Sequence, residues 1–326
     1  MSKQKQAREI AERERKRRSQ VLTIAIAAVT LVVVLIIAYL LFFAGQGPAP
    51  GAPPGHLWSL DSAGLLTFAD RGPNTFNIMI NREDKPGYYL SEVTFESFND
   101  SVYALLRVPK NVSRPPVVIV LPAASVNKEA DSAMAEALCS WGYASLTLDE
   151  RGNNGSTPGP SPMDLDSGYG AFTGGGDPVQ YKQVYDVLRG YDCIRSEADL
   201  DSDNVAVLGE SMGGRFAIIS AALEPGLKAA IGISTGPYGL AGNDDASRRF
   251  LKSIEPAGYL SQLPPRKVIF FHFAGDPIIP VSLDRQLYDA ASQPKAWHQY
   301  NGTVHGVYSD VYAPDLHEEL RSVFGQ

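Results

Sequence analysis

Cysteine is almost absent from this chain: Cys139 and Cys193 are the only two among 326 residues. Two thiols so far apart make neither a disulfide framework nor a zinc site, which needs clustered ligands, and a single bridge is the most they could form. Each falls in a predicted amphipathic helix, "AMAEALCSWGY" and "VLRGYDCIRS", and reads as a small buried hydrophobe. Basic charge is also scarce beyond the start of the chain. Residues 1–20 hold eight Lys/Arg against Glu9, Glu12 and Glu14, a net of +5, so with −7 for the whole chain the remainder stands at −12. An acidic body repels phosphate backbones, which argues against nucleic acid as a partner. No fixed-period repeat or heptad run occurs beyond residue 57, so solenoids and coiled coils are excluded. Bulk disorder is excluded as well, because 44% of the residues are apolar and only 20% are charged.

One long run lacks charge altogether. Residues 21–43, "VLTIAIAAVTLVVVLIIAYLLFF", are uncharged, and at ~1.5 Å per residue they reach roughly 34 Å, enough to span a bilayer core of about 30 Å. A cleavable signal peptide would be shorter and would end in a small-residue cleavage pattern, which is missing here. The spacing predicts a single transmembrane helix, a signal-anchor. The basic segment 1–20 before it predicts a cytoplasmic N-terminus and an extracytoplasmic body at the cell membrane. Basic residues there are also suited to contact anionic lipid headgroups. Residues 44–56, "AGQGPAPGAPPGH", are too rich in Pro and Gly for helix or sheet and read as a spacer. Residues 57–326 read as one body.

Within that body, strand-like runs alternate with helical patterns. Strands are expected at 91–97 and 101–108, joined as a hairpin by "FND", then at 116–122, 143–149, 204–209, 229–234, 267–275 and 296–301. Helices are expected at 127–141, 178–196, 212–223, 282–293 and 314–324. The later strands are continuous apolar runs, as in parallel strands covered on both faces. The pattern predicts an α/β fold with a mostly parallel sheet of about eight strands flanked by helices.

Chemistry enters at "VAVLGESMGGRFAII", where Ser211 sits between a strand and a helix. The strand-to-helix turn must be tight enough to lift the hydroxyl clear of the sheet, leaving no room for side chains at Gly209 and Gly213. The following helix aims its free N–H groups at developing negative charge. A serine nucleophile needs a base, and the base needs an orienting carboxylate. His305 in "GTVHGVY" follows the last strand-like run in a loop setting, whereas His272 inside "VIFFHFAG" reads as a satisfied core histidine. His56, His298 and His317 have no positional claim. Asp276 in "FFHFAGDPIIP" sits at the carboxyl end of a strand, where parallel sheets present their sites. Ser211, Asp276 and His305 thus follow three different late strands in the order Ser, Asp, His.

On these residues the sequence resembles the α/β-hydrolase family, particularly its dienelactone-hydrolase-like and prolyl-oligopeptidase-like serine hydrolases, over roughly residues 90–326. The resemblance rests on "GESMGG" around Ser211, "AGDPIIP" around Asp276, "VHG" at His305 and "LDERGNNGS" at 148–156. It implies Ser211 as nucleophile, His305 as general base and acid, Asp276 as orienting acid, and neither cofactor nor metal. The oxyanion hole is expected from the backbone N–H of Met212 and one N–H after the strand at 116–122. Relatives usually carry His-Gly there; this chain reads "LPAASVN", so Ala123 and Ala124 are the candidates. Asp149 and Arg151 are expected to brace their loop rather than react.

The Gly/Pro/Ser-rich segment 151–177 is expected as a flap near the site, and only some 30 residues separate Ser234 from Lys267, too few for a large helical lid. The pocket is therefore expected to be shallow or open, favouring small or polymeric ester substrates over long acyl chains. Carboxylic ester hydrolysis is the leading expectation. A peptidase shares this core, although residues 57–90 are too few for the extra N-terminal propeller of the prolyl-oligopeptidase-like branch, and an inactive surface binding module is the alternative from another class.

Overall fold

The computed structural model describes residues 55–326. The basic segment 1–20, the expected transmembrane span 21–43 and all but the last two residues of the 44–56 spacer lie outside the described residues. Among the described residues, no helix is long and apolar enough to cross a membrane.

A short antiparallel ribbon, β1 (Trp58–Leu60) with β2 (Leu66–Phe68), precedes the main sheet. An antiparallel meander follows, made of β3 (Asn77–Lys85), β4 (Tyr88–Ser97) and β5 (Asp100–Pro109). Six parallel strands complete the sheet: β6 (Pro116–Leu121), β7 (Ala144–Leu148), β8 (Asp201–Glu210), β9 (Leu227–Ile233), β10 (Lys267–Phe273) and β11 (Lys295–Tyr300). The nine strands run in the spatial order β11-β10-β9-β8-β6-β7-β5-β4-β3. All eight expected strands are present as β4–β11. The sheet is mostly parallel, as expected, with the antiparallel meander along one side, and it is one strand wider than the eight expected. The additional strand, β3, "NIMINREDK", is an edge strand whose register shifts twice against β4; its three apolar residues are consecutive and its second half is charged, so it lacks the alternating pattern of a half-buried strand.

The helices are α1 (Ser132–Ser140), α2 (Leu165–Thr173), α3 (Val179–Ser196), α4 (Met212–Leu223), α5 (Asp245–Ile254), α6 (Val281–Ala290) and α7 (Ala313–Phe324), with a 3₁₀ turn at Pro256–Gln262. Alternate residues of the strands feed two cores. Val117, Ile119 and Leu121 join the side chains of α3, α4 and α6 on one face, and Val118 and Val120 join those of α1 and α7 on the other. Every residue of β6 and β7 is buried, which is why these strands are continuously apolar or nearly so. Both cysteines are buried and unpaired.

One helix boundary needs correction, and two connecting segments carry short helices. Helix 127–141 begins only at Ser132, because Asn127 caps a preceding turn by accepting from the Ala130 N–H through both its carbonyl and its side chain. The segment expected as a flap, 151–177, carries α2, capped by Asp164, whose carboxylate accepts from the Ser167 N–H. Between Ser234 and Lys267 stands α5, started by a capping box of Asp244 and Ser247. These two short helices pack on each other through Phe172 and Phe250, 5.8 Å between ring centroids, and Tyr169 donates to Asp244. His56, read as spacer, is tied to the body by a 2.6 Å hydrogen bond between its Nδ1 and Asp177.

Candidate active site

The order of the strands makes the site. From β6 the chain moves to β7 on one side and then returns to β8 on the other, so the carboxyl ends of β6 and β8 flank a topological switch point. Leu121 and Gly209 are in register across that pair. The residues two positions further, Ala123 and Ser211, therefore emerge side by side.

Ser211 sits in a turn with φ +52° and ψ −108°, a conformation rare for a residue with a side chain. Its backbone is fastened on both sides, the N–H donating to Ile233 O at 2.8 Å and the C=O accepting from Thr235 Oγ1 at 2.8 Å. A β-carbon on Gly209 would lie 2.2 Å from the Gly213 carbonyl, and one on Gly213 would lie 2.2 Å from Leu121 O. Both glycines are thus required sterically, as the sequence predicts.

His305 and Asp276 converge on this turn. His305 Nε2 is 2.9 Å from Ser211 Oγ, and its Nδ1 is 2.9 and 2.8 Å from the two Asp276 oxygens. A carboxylate can only accept, so Nδ1 carries the proton and Nε2 is free to accept from the serine hydroxyl. Burial pushes the Asp276 carboxyl upward, but hydrogen bonds from His305 and from the backbone N–H groups of Ile278 and Ile279 outweigh it and hold the group below its ordinary value. Asp276 thus stays ionised at neutral pH. The structure brings all three predicted residues together.

The oxyanion candidates lie on the loop after β6 and at the start of α4. A β-carbon on Gly306 would lie 3.3 Å from Ser211 Cβ and 3.8 Å from Ala123 Cβ, which sets Ala123 against the nucleophile turn. The N–H groups of Ala123, Ala124 and Met212 donate to no loop, cap or side-chain acceptor among the described residues. Asn153 shapes this loop and escaped sequence reasoning. Its amide donates to Ala123 O at 2.9 Å and Val126 O at 2.6 Å, and its oxygen accepts from the Ser125 N–H at 2.5 Å. Its presence in "LDERGNNGS" was the only signal.

Asp149 and Arg151 brace, as expected. Asp149 accepts from the backbone of Ser156 and from Lys128, while Arg151 makes a bidentate pair with Asp186 at 2.6 and 3.0 Å and reaches Asp100 at 2.6 Å. Between them Glu150 is fully buried. Desolvation raises its carboxyl well above the ordinary range, with Asp131, Asp186 and Asp149 adding repulsion. The folded chain therefore holds a proton that the unfolded chain releases near 4.5, so stability from this group is present in acid and falls as pH rises above that value. Glu150→Gln is expected to raise stability at pH 8 by about 1 kcal/mol or more, roughly 2–4 °C in Tm, with the gain shrinking toward pH 5. Thermal unfolding at both pH values checks this; an equal gain at both would reject it.

The other histidines stay structural in their contacts. His272 is buried and bonded, as predicted, with Nδ1 2.7 Å from Asp284 and Nε2 2.9 Å from Ile279 O. His298 is 2.8 Å from Glu319, and His317 stacks on Trp141. Among the described residues, no group of three or more His, Cys, Asp or Glu could hold a metal ion.

Comparison with known proteins agrees with this architecture. The family model for acetyl xylan esterase (AXE1) matches residues 80–238, which include Ser211. No curated protein matches the sequence. Among solved structures, the acetyl xylan esterase from Paenibacillus sp. R4 is similar at 18% identity and a TM-score of 0.65, over 77% of this chain and 89% of that one. Acetyl xylan esterase 1 from Thermoanaerobacterium sp. JW/SL YS485 is 14% identical with a TM-score of 0.60, over 78% of this chain and 89% of its own. The glucuronoyl esterase from Solibacter usitatus is also 14% identical with a TM-score of 0.60, over 79% and 88% respectively. At such identities the structures establish the α/β-hydrolase fold alone; together with the family match over residues 80–238 they make the chain a serine hydrolase, carboxylesterase-like.

Proposed function

We propose that this protein is a membrane-tethered esterase that cleaves short-chain carboxylic esters through an acyl-enzyme on Ser211. One observation carries the reading: His305 stands 2.9 Å from Ser211 Oγ through one ring nitrogen and 2.8 Å from Asp276 through the other. In the first step His305 Nε2 takes the hydroxyl proton as Ser211 Oγ attacks the ester carbonyl. Asp276 holds the imidazole in the tautomer that can accept it and stabilises the imidazolium that forms. The N–H groups of Met212 and Ala123 receive the developing oxyanion. The imidazolium then protonates the leaving alcohol as the C–O bond breaks. Water, deprotonated by the same nitrogen, releases the acid and restores Ser211.

Short acyl groups follow from the rim. Ile278 and Val307, each two residues past Asp276 and His305, are 64% and 49% exposed, which favours a rim open to water over an enclosed acyl channel. The family model's name and the two acetyl xylan esterase structures favour an acetyl ester on a carbohydrate polymer. The tether rests on the uncharged run at 21–43 with its basic flank, which favours a cytoplasmic N-terminus and an extracytoplasmic catalytic domain. A membrane-impermeant fluorophosphonate applied to intact cells is expected to label the wild-type chain. p-Nitrophenyl acetate is expected to be hydrolysed faster than the palmitate. Labelling only after lysis would reject the location, and faster palmitate turnover would reject the open mouth.

A further inference from the structure

Behind the candidate triad lies a second, fully buried Asp–His pair. His272 is on β10, Asp284 is on α6, and the turn joining them carries Asp276. His272, Asp276 and Asp284 all have side chains with no exposed surface. His272 Nε2 is 2.9 Å from Ile279 O, and because a carbonyl only accepts, this nitrogen must carry a proton. Nδ1 faces Asp284 Oδ2 at 2.7 Å. Ile279 is thereby held from both sides: its C=O accepts from His272, while its N–H, at 3.0 Å, and that of Ile278, at 2.8 Å, donate to Asp276 Oδ1. Pro277 and Pro280 flank these residues and have no N–H of their own to give. Its other backbone ties are at its two ends, Asp276 N–H to Phe273 O at 3.1 Å and Leu283 N–H to Pro280 O at 2.8 Å.

We propose that His272, anchored by Asp284, is a positioning residue that fixes the turn around Ile279 and so keeps the Asp276 carboxylate aimed at His305. The proposal rests on the triad reading above. A core histidine that merely filled space would need neither a buried acid on one nitrogen nor the carbonyl of this turn on the other. The charged and titratable groups facing the pair are Asp276, whose nearest oxygen is 3.7 Å from His272 Nε2, and beyond it His305. Burial pushes the Asp284 carboxyl up to about 7, opposed by His272. Burial lowers His272, but its contacts with Asp284, Ile279 and Asp276 raise it overall. Both shifts favour retention of the shared proton near neutrality, which suits a rigid donor on Ile279.

Substitution separates geometry from bulk. In His272→Gln the terminal amide nitrogen reaches the place of Nε2 and can still donate to Ile279 O, whereas in His272→Asn the nitrogen falls near Nδ1 and that donor is lost. With p-nitrophenyl acetate, His272→Asn is expected to lower kcat at least about tenfold with KM changed less than about threefold, and His272→Gln to restore most of the loss. Asp284→Asn, which leaves the Nε2 donor in place, is expected to lose less than about threefold. The low-field proton resonance of His305 Nδ1–H, read by NMR, is expected to shift or broaden in His272→Asn and to persist in His272→Gln. Equal kcat in the wild type and His272→Asn, or equal loss in the Asn and Gln variants, would overturn the proposal. So would an Asp284→Asn loss above tenfold, or an unchanged resonance in His272→Asn. A wild type without esterase activity would instead defeat the triad reading, and the resonance would still decide the role of His272.

Discussion

Ser211→Ala is expected to cut turnover of p-nitrophenyl acetate by roughly 10⁴-fold or more, the scale of triad knockouts generally. It is also expected to abolish fluorophosphonate labelling and to leave the fold intact. The Ser211 side chain has one hydrogen-bond partner among the described residues, His305 Nε2, and the ring of His305 is partly exposed, so water can replace the missing hydroxyl. The backbone ties of residue 211, to Ile233 and Thr235, do not involve its side chain. Alanine can therefore occupy the same strained turn, and the change in stability should stay within about 1 kcal/mol. Adding His305→Ala to the serine variant should cost little further rate, because residues that act as a unit are not additive. A single variant retaining more than a hundredth of the wild-type rate would remove Ser211 from the chemistry.

The second large effect is on stability. Gly209→Ala introduces a β-carbon 2.2 Å from the carbonyl carbon and oxygen of Gly213. Both are backbone atoms in the first turn of α4, so no side chain can swing aside. Either the helix lifts from the sheet or β8 bends, and both would move Ser211. The expected loss is about 3 kcal/mol or more, at the upper end for overpacking. It would be read as a lower urea midpoint at unchanged slope, together with loss of activity in the protein that remains folded. A midpoint within experimental error of wild type would show that the turn is looser than these distances allow.

These two positions were visible in the sequence for the same reason that they matter. Gly209 and Gly213 flank Ser211 at a spacing that only a tight strand-to-helix turn requires. The strands around it are apolar on both faces because helices cover them, so their periodicity survives in the sequence. Asp276 and His305 were found by following the last strands in order. Where the local signal was weak, reading failed. α2 contains Gly168 and Gly170 and is followed by three glycines, which mask a helix whose stability comes from Phe172 packing on Phe250. β3 has three consecutive apolar residues and then a charged half, with no alternation to mark it. α5 is a short, mostly polar helix with three buried residues in ten, and its capping box and the apolar face at Phe250, Leu251 and Ile254 went unread.

Periodicity, turn chemistry and the spacing of apolar residues depend on near neighbours, and so the α/β alternation, the tight turn at Ser211 and the chain order of Ser211, Asp276 and His305 could be read from the residues alone. The placement of Ala123 beside the Ser211 turn, the clamp by Asn153, the burial of Glu150 and the contacts of His272 with Asp284 and with the turn that carries Asp276 could not. Each joins segments whose adjacency is set by strand order, above all by the reversal of the chain at β6, which sets β8 against it and lets an imidazole 94 residues along the chain meet a hydroxyl. Such proximity leaves no trace in local composition, because the physical cause is the packing of one sheet between its helices and not any preference of the residues that meet.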